Sequence, residues 1–216
     1  MDVFVYDSAF ALTEVVDTYE SLIWTDRYLG YGDAEIVLAA SETSRFPAGS
    51  YLTIPDSDSV MIVDGPELET NDTDGDFVTI HARSLETILD RRIVWSMTNI
   101  TGNLQNGIKK LMNENLISAT DTSRRIPNFT FKDSTNTAVT SIAGLDVQFT
   151  GKSLYECVAG LCDTYNLGFR VRMPTPMAFT FEIYAGVDRS FSQSSNPYVV
   201  FSPKFDNLDK SKYIES

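Results

Sequence analysis

The sequence is poor in most residues that carry catalytic or metal chemistry. Its 216 residues include one histidine, His81, and two cysteines, Cys157 and Cys162. A Ser-His-Asp triad would have to use His81, yet no G-x-S-x-G elbow accompanies it. Phe77 and Thr79 place His81 in an alternating strand, so it reads as a strand histidine. A zinc site needs several close His or Cys ligands, and none joins the cysteines. Those two lie in a segment that reads as helix, too far around its axis to bridge. They are expected to be buried, reduced thiols, as in a protein assembled in a reducing cytoplasm.

Other signatures are missing too. The longest apolar run is Ile36–Ala40, far below the ~18 residues of a membrane span, so no transmembrane segment is expected. Met1-Asp2-Val3-Phe4-Val5-Tyr6 is acidic where a secretory leader is basic. Gly144 and Gly151 are isolated, and Gly186 opens no apolar helix, so no phosphate loop is present. The run from Asn71 to Asp76 invites a calcium reading. Counted from Asp72, however, glycine falls at the fourth position and Arg83 at the twelfth, where an EF-hand needs the sixth and a glutamate. An acidic hairpin tip explains it better. No pair among the 30 acids is marked as catalytic. The expectation is no catalytic residue, no metal site and no cofactor; which residues bind a partner is left open.

What is abundant is negative charge and aromatic side chains. Seventeen basic against 30 acidic residues give a net charge of −13. That excludes a general nucleic-acid binder, because phosphate neutralisation needs clustered Lys and Arg. The basic clusters Arg91-Arg92, Lys109-Lys110 and Arg124-Arg125 are short. An anionic membrane would also repel the chain. The charge serves solubility, or a surface that touches DNA without holding it. A hydrophobic fraction of 43% with 13 Phe and 10 Tyr excludes disorder. A chain of this length can bury roughly 70% of the surface it exposes unfolded.

The first hundred residues read as β structure. Ser21–Tyr28 and Ala34–Leu38 flank a Gly-rich turn as a hairpin, followed by Tyr51–Ile54, Val60–Val63, Glu67–Thr70 and Phe77–His81, with a turn signal at Asp74-Gly75. Strands at this spacing indicate a small barrel or sandwich. Ser84 is placed to cap a short helix with Leu85, Ile88 and Leu89 inward. A second helix is expected from Asn103, with Leu104, Ile108, Leu111, Met112 and Leu116 in its stripe. A third has Ser153 and Glu156 at capping-box spacing, then Leu154, Cys157, Val158, Leu161, Cys162 and Tyr165 at the helical period. Asn166 and Gly168 can end it. Phe169–Met173 and Ala178–Tyr184 form a further hairpin, whose Phe169, Phe179, Phe181 and Tyr184 suit a core better than a stacking platform. Pro197–Phe201 reads as a last strand.

Several of these segments together resemble a known family. Ser84-Leu85-Glu86-Thr87-Ile88-Leu89-Asp90-Arg91-Arg92-Ile93 is similar to the S-L-E-x-I-L-D-R-R-I stretch of a siphophage tail protein family related to baseplate and tail-tip hubs. Tyr19–Trp24, Arg27-Tyr28 and Gly32–Glu35 resemble its first hairpin. Gly49–Leu52, Ile54–Asp58, Met61-Ile62, Gly186–Ser190, Val199–Ser202, Asn207-Leu208 and Tyr213 follow in the same order. The likeness is weakest from Asn99 to Ala143. It implies a mainly β fold with an α+β insertion: a discontinuous hub-type β-barrel domain, residues 1–98 and 197–216, interrupted by an inserted mixed α/β domain, residues 99–196. Such families continue into further hub domains, so a fragment or shortened relative is expected.

The implied function is structural. A homotrimeric ring would join the tail tube to the host-facing tip of the virion, contact neighbouring tail proteins, and let DNA pass without stable nucleic-acid binding. Assembly would take place in the bacterial host cytoplasm. A module binding cell-wall carbohydrate or a receptor is the alternative, and a cell-wall hydrolase is a third reading for which no motif is present. The chain is not expected to be an enzyme.

Overall fold

The computed structural model describes residues 1–71, 75–205 and 207. The chain divides into two compact units, Met1–Ala185 and Gly186–Ser216. In the first, a seven-stranded antiparallel sheet is built from β1 (Val3–Tyr6), β2 (Leu12–Val16), β3 (Ser21–Thr25), β4 (Asp33–Ala39), β5 (Tyr51–Thr53), β6 (Met61–Asn71) and β7 (Gly75–Ser84). Its order is β2-β1-β5-β6-β7-β4-β3. The stretches around Val60–Val63 and Glu67–Thr70, expected as two strands, are one long β6. The register shift between Val63 and Gly65 absorbs an extra residue. The Asp72–Asp74 part of the acidic hairpin tip lies outside the described residues, as do Leu208 and Tyr213.

The hydrogen-bonded ladder stays open, with β2 and β3 at its edges, rather than closing into a barrel. Yet only Asp17–Glu20 separates those two edge strands in the chain. An extended residue spans at most ~3.6 Å, so at this end the edges lie within roughly 18 Å of each other. The sheet is therefore curled, with a seam between β2 and β3. Tyr19 Oη donates to the Met1 carbonyl at 2.9 Å there.

Alternation along the strands sorts side chains between two cores. Val3, Val5, Ala34, Ile36, Leu38, Leu52, Met61, Val63, Val78, Ile80 and Ala82 fill the concave core. Their neighbours Tyr51 and Ile62 point the other way, into a second core.

That second core belongs to the mixed region. It comprises a 3-10 helix (Leu85–Arg91), β8 (Thr98–Gly102), α1 (Leu104–Met112) running into a π-helical turn (Asn113–Ile117), and β9 (Phe129–Lys132). Then come α2 (Thr137–Thr140), β10 (Leu145–Phe149), α3 (Leu154–Thr164), β11 (Leu167–Thr175) and β12 (Ala178–Ala185). β8 pairs with β10, and β12 pairs antiparallel with β11 and parallel with β9. The fold is thus mainly β, with mixed sheets plus helices. α1 and α3 bury their expected stripes except for Tyr165, which caps the end of α3 and is exposed, and Asn103 Oδ1 caps α1 by accepting from Asn106 N at 3.1 Å. Ser153 and Glu156 form the reciprocal capping box, with both bonds at 3.0 Å. Asn166 (φ 51°) ends α3 in the left-handed region, whereas Gly168 lies in β11. There a Cβ would come within 2.6 Å of the Tyr184 ring.

Two expectations are corrected. Ser84 precedes a 3-10 helix and makes no side-chain cap there; its hydroxyl is engaged elsewhere. Pro197–Phe201, expected as a strand, is irregular. Val199 N donates to the Arg189 carbonyl at 3.1 Å, and the Pro197 and Val200 carbonyls accept from the side chains of Arg189 and Asn207 rather than from a neighbouring strand. Strand-prone residues form a strand only where a second strand completes the ladder.

Candidate functional site

The Ser84–Val94 segment, which carries the most extended part of the family-like pattern, is where the two cores are joined. Glu86 is its centre. The side chain is buried among Leu85, Ile88 and Leu89, and its carboxylate accepts the Ser84 hydroxyl and, at 2.6 Å, the Val171 amide of β11. Ser84 Oγ in turn accepts from Gly32 N at 2.8 Å. Burial pushes the Glu86 carboxyl above its ordinary range, and the two hydrogen bonds only partly oppose that.

Asp90 and Arg92 tie the segment to other elements, while the Thr87 hydroxyl bonds back to the Ser84 carbonyl. Asp90 Oδ1 accepts from Ser153 Oγ, the cap of α3, at 3.0 Å. Arg92 Nε donates to the Arg124 carbonyl at 2.9 Å, and Leu154 N donates to the Arg92 carbonyl at 2.6 Å. Val94 exchanges bonds with Lys152 and Gly151, both 2.8 Å. The motif is a fastening rather than a catalytic sequence.

Above Glu86 lies a cleft of about 430 Å³ whose lining includes Asp26, Arg27, Asp58, Arg170, Arg172 and Tyr184. Several of its charged groups are engaged, by one another or by hydroxyls. Asp26 accepts the hydroxyls of Ser57 and Ser59 at 2.8 and 2.5 Å. Arg27 pairs with Asp33. Glu182, on β12 and nearly buried, gathers Lys132, Arg170 and Arg172 at 3.0, 2.5 and 3.0 Å. Burial raises the Glu182 carboxyl, but Lys132 and Arg170 together outweigh it and hold it below the usual range. A general acid must have a proton free to give, and a nucleophilic carboxylate an unencumbered oxygen. Glu86 and Asp26 have both oxygens committed.

The single histidine sits on β7 with Nε2 3.1 Å from Glu67, on an exposed face. Both cysteines are free and buried. Burial pushes the Cys157 thiol to about 11 and the Cys162 thiol to about 12, so neither is activated. Phe169, Phe179 and Phe181 are core residues, with Phe169–Phe181 and Phe131–Phe181 centroids 6.0 and 5.4 Å apart. Among the described residues no group of three His, Cys, Asp or Glu side chains is placed to hold a metal ion, and no helix is long and apolar enough to cross a membrane. Sequence reasoning missed the role of Glu86. As an acid in a first helical turn it looks like a dipole partner, and its burial depends on β11, far along the chain.

The model of the family described as Siphovirus ReqiPepy6 Gp37-like protein matches residues 2–216. No curated protein matches. In fold the chain is similar to the prophage tail protein gp18 from Listeria monocytogenes EGD-e, with 14% identity and a TM-score of 0.53, covering 84% of this chain and 50% of that one. It is similar also to the tail protein from Neisseria meningitidis MC58, with 15% identity and a TM-score of 0.53, covering 89% and 52%. The chain spans about half the length of these tail proteins.

Proposed function

We propose, for a chain that belongs to the Siphovirus ReqiPepy6 Gp37-like family, a structural role in the phage tail, as a subunit of the tail-tip or baseplate hub. Three copies form a ring that joins the tail tube to the host-facing tip. The observation that carries this is the fold shared with a prophage tail protein and a second tail protein across more than four-fifths of the chain. A curled sheet with a seam, and cleft charges engaged by one another or by hydroxyls, support a scaffold over an enzyme.

Residues 1–98 and 197–216 are read as the ring-forming domain and 99–196 as the inserted one. The net charge of −13 gives the ring a lumen that repels phosphate over about a Debye length, ~8 Å at physiological salt, so DNA passes without adhering. Neighbouring tail proteins are its partners, and assembly takes place in the host cytoplasm.

Immunogold electron microscopy of the virion tests the role. Label confined to the distal end of the tail is the expected result. Label on the head, along the whole tube, or nowhere on the particle would refute it.

A further inference from the structure

On a chain this acidic, Arg91, Arg92, Arg124 and Arg125 gather, and Asp121 acts on one of them, Arg124, through its charge. Arg92 Nε donates to the Arg124 carbonyl at 2.9 Å, Arg124 donates to the Ile93 carbonyl, and Arg125 Nε donates to the Ala119 carbonyl at 2.8 Å. Among the described residues none of Arg91, Arg92, Arg124 and Arg125 forms an ion pair with a carboxylate. Two acids of the adjoining groove are engaged: Glu114 meets Thr98 and Lys110, and Asp121 accepts from Ser123 and feels the charge of Arg124. Burial lowers the affinity of the Arg92 guanidinium for its proton, and the charges of Arg124 and Arg91 lower it further.

Beside these cations the chain exposes its most prominent apolar side chains in the first unit. Trp95 is 79% and Met97 62% exposed, and Ile93 is exposed too. Trp95 and Met97 line a groove of about 740 Å³ with Arg124, Asn113, Glu114 and Asp121, and the other three arginines stand outside that lining. Exposed Trp with Arg is the composition of an interface hot spot. The occupant must offer both carboxylates and apolar groups, which a polyphosphate does not.

The chain carries such a surface at its own seam. Leu12 and Val15 on β2 and Ile23 on β3 are exposed. Asp17 and Glu20, in the connection between those edges, meet no cation among the described residues. We propose that the arginine–tryptophan patch at 91–97 and 124–125 receives the acidic, apolar seam of a second copy of the chain.

The contact joins two different patches of the chain, so one copy can offer its arginines to a second and its seam to a third. Heterologous contacts repeat around a ring. Charges farther apart than ~8 Å are screened at physiological salt, so the net repulsion between copies does not forbid it. This inference rests on the ring reading above and assigns its surfaces.

Sedimentation equilibrium of the full chain over a concentration series tests it. The wild type is expected to form a trimer. Trp95→Ala, or Arg91→Glu with Arg125→Glu, should weaken association at least ~30-fold, with an unchanged far-ultraviolet spectrum showing that the fold is kept. Adding Asp17→Lys and Glu20→Lys to the arginine variant should restore it. A trimer indifferent to these changes would overturn the assigned surfaces while leaving the ring intact. A persistent wild-type monomer, or a closed dimer, would overturn both. Retention of a short DNA duplex through Arg91 and Arg125 would reassign the patch to phosphate and overturn it.

Discussion

The convex face of the seven-stranded sheet meets two environments, and its composition changes between them. Over β1, β5 and β6 it carries Tyr6, Tyr51 and Ile62, all packed in or against the second core, with Phe10 stacked on Tyr6 at 4.4 Å. One strand further, over β7 and β4, the same face carries Arg83, His81, Thr79 and Glu35. There Arg83 meets Asp64 through two bonds of 2.6 and 2.8 Å and lies over the Tyr31 ring. A strand covered on one side alternates, and a strand covered on both reads as a continuous apolar run. Val60-Met61-Ile62-Val63 is such a run, and Val78-Thr79-Ile80-His81-Ala82 is not. The difference marks where the mixed region lies on the sheet.

Substituting one charge at two places on that face would break the comparison most directly. Ile62→Lys puts an unpaired ammonium into the second core and should cost ~4 kcal/mol or more. His81→Lys on the open part should change stability by no more than ~0.5 kcal/mol. Urea unfolding measures both, and equal losses would mean that the face is uniformly covered.

The fastening between the cores comes next. Glu86→Ala leaves the Val171 amide without its acceptor and opens a small cavity, for a loss of about 3 kcal/mol. Glu86→Gln keeps the acceptor and isolates the charge. Because the folded-state pKa of Glu86 is raised, ionisation works against folding. Its contribution is most favourable below the unfolded value of about 4.3 and is lost as pH rises through the higher folded value. Glu86→Gln should therefore gain stability relative to wild type as pH rises from acid toward neutral, and parallel pH profiles would contradict this.

Within the mixed region, Gly107→Ala offers a finer test. Alanine favours a helix by ~1 kcal/mol over glycine, but here its Cβ would sit 2.3 Å from Ile100 Cγ2. A net loss of roughly 1–2 kcal/mol is expected. Ser153→Ala, which removes the α3 cap and the bond to Asp90, should cost about 1 kcal/mol. Denaturant midpoints resolve both.

What the sequence made legible was local. The capping box of α3, the α1 stripe and the hairpins β3–β4 and β11–β12 follow from spacing within a dozen residues or so. The strands β8, β9 and β10 did not, because Thr98–Gly102 and Phe129–Lys132 are short and partly polar, and acquire strand character from partners distant in the chain. Pro197–Phe201 shows the converse, with strand propensity but no ladder among the described residues. The seam was illegible for the same reason, since strand order at an edge is settled by pairing. Of the site, the pattern from Ser84 to Ile93 was visible as a resemblance, while its physical task became clear only with Val171, Ser153 and Arg124 in place.

Cys157 and Cys162 have a practical consequence for watching this molecule move. With pKa values of about 11 and 12, they present only about one thiolate in 10⁴ and one in 10⁵ at pH 7 while the fold is closed. A thiol reagent then reacts in proportion to the fraction of molecules whose second core is open, so the chain carries its own reporter of that event.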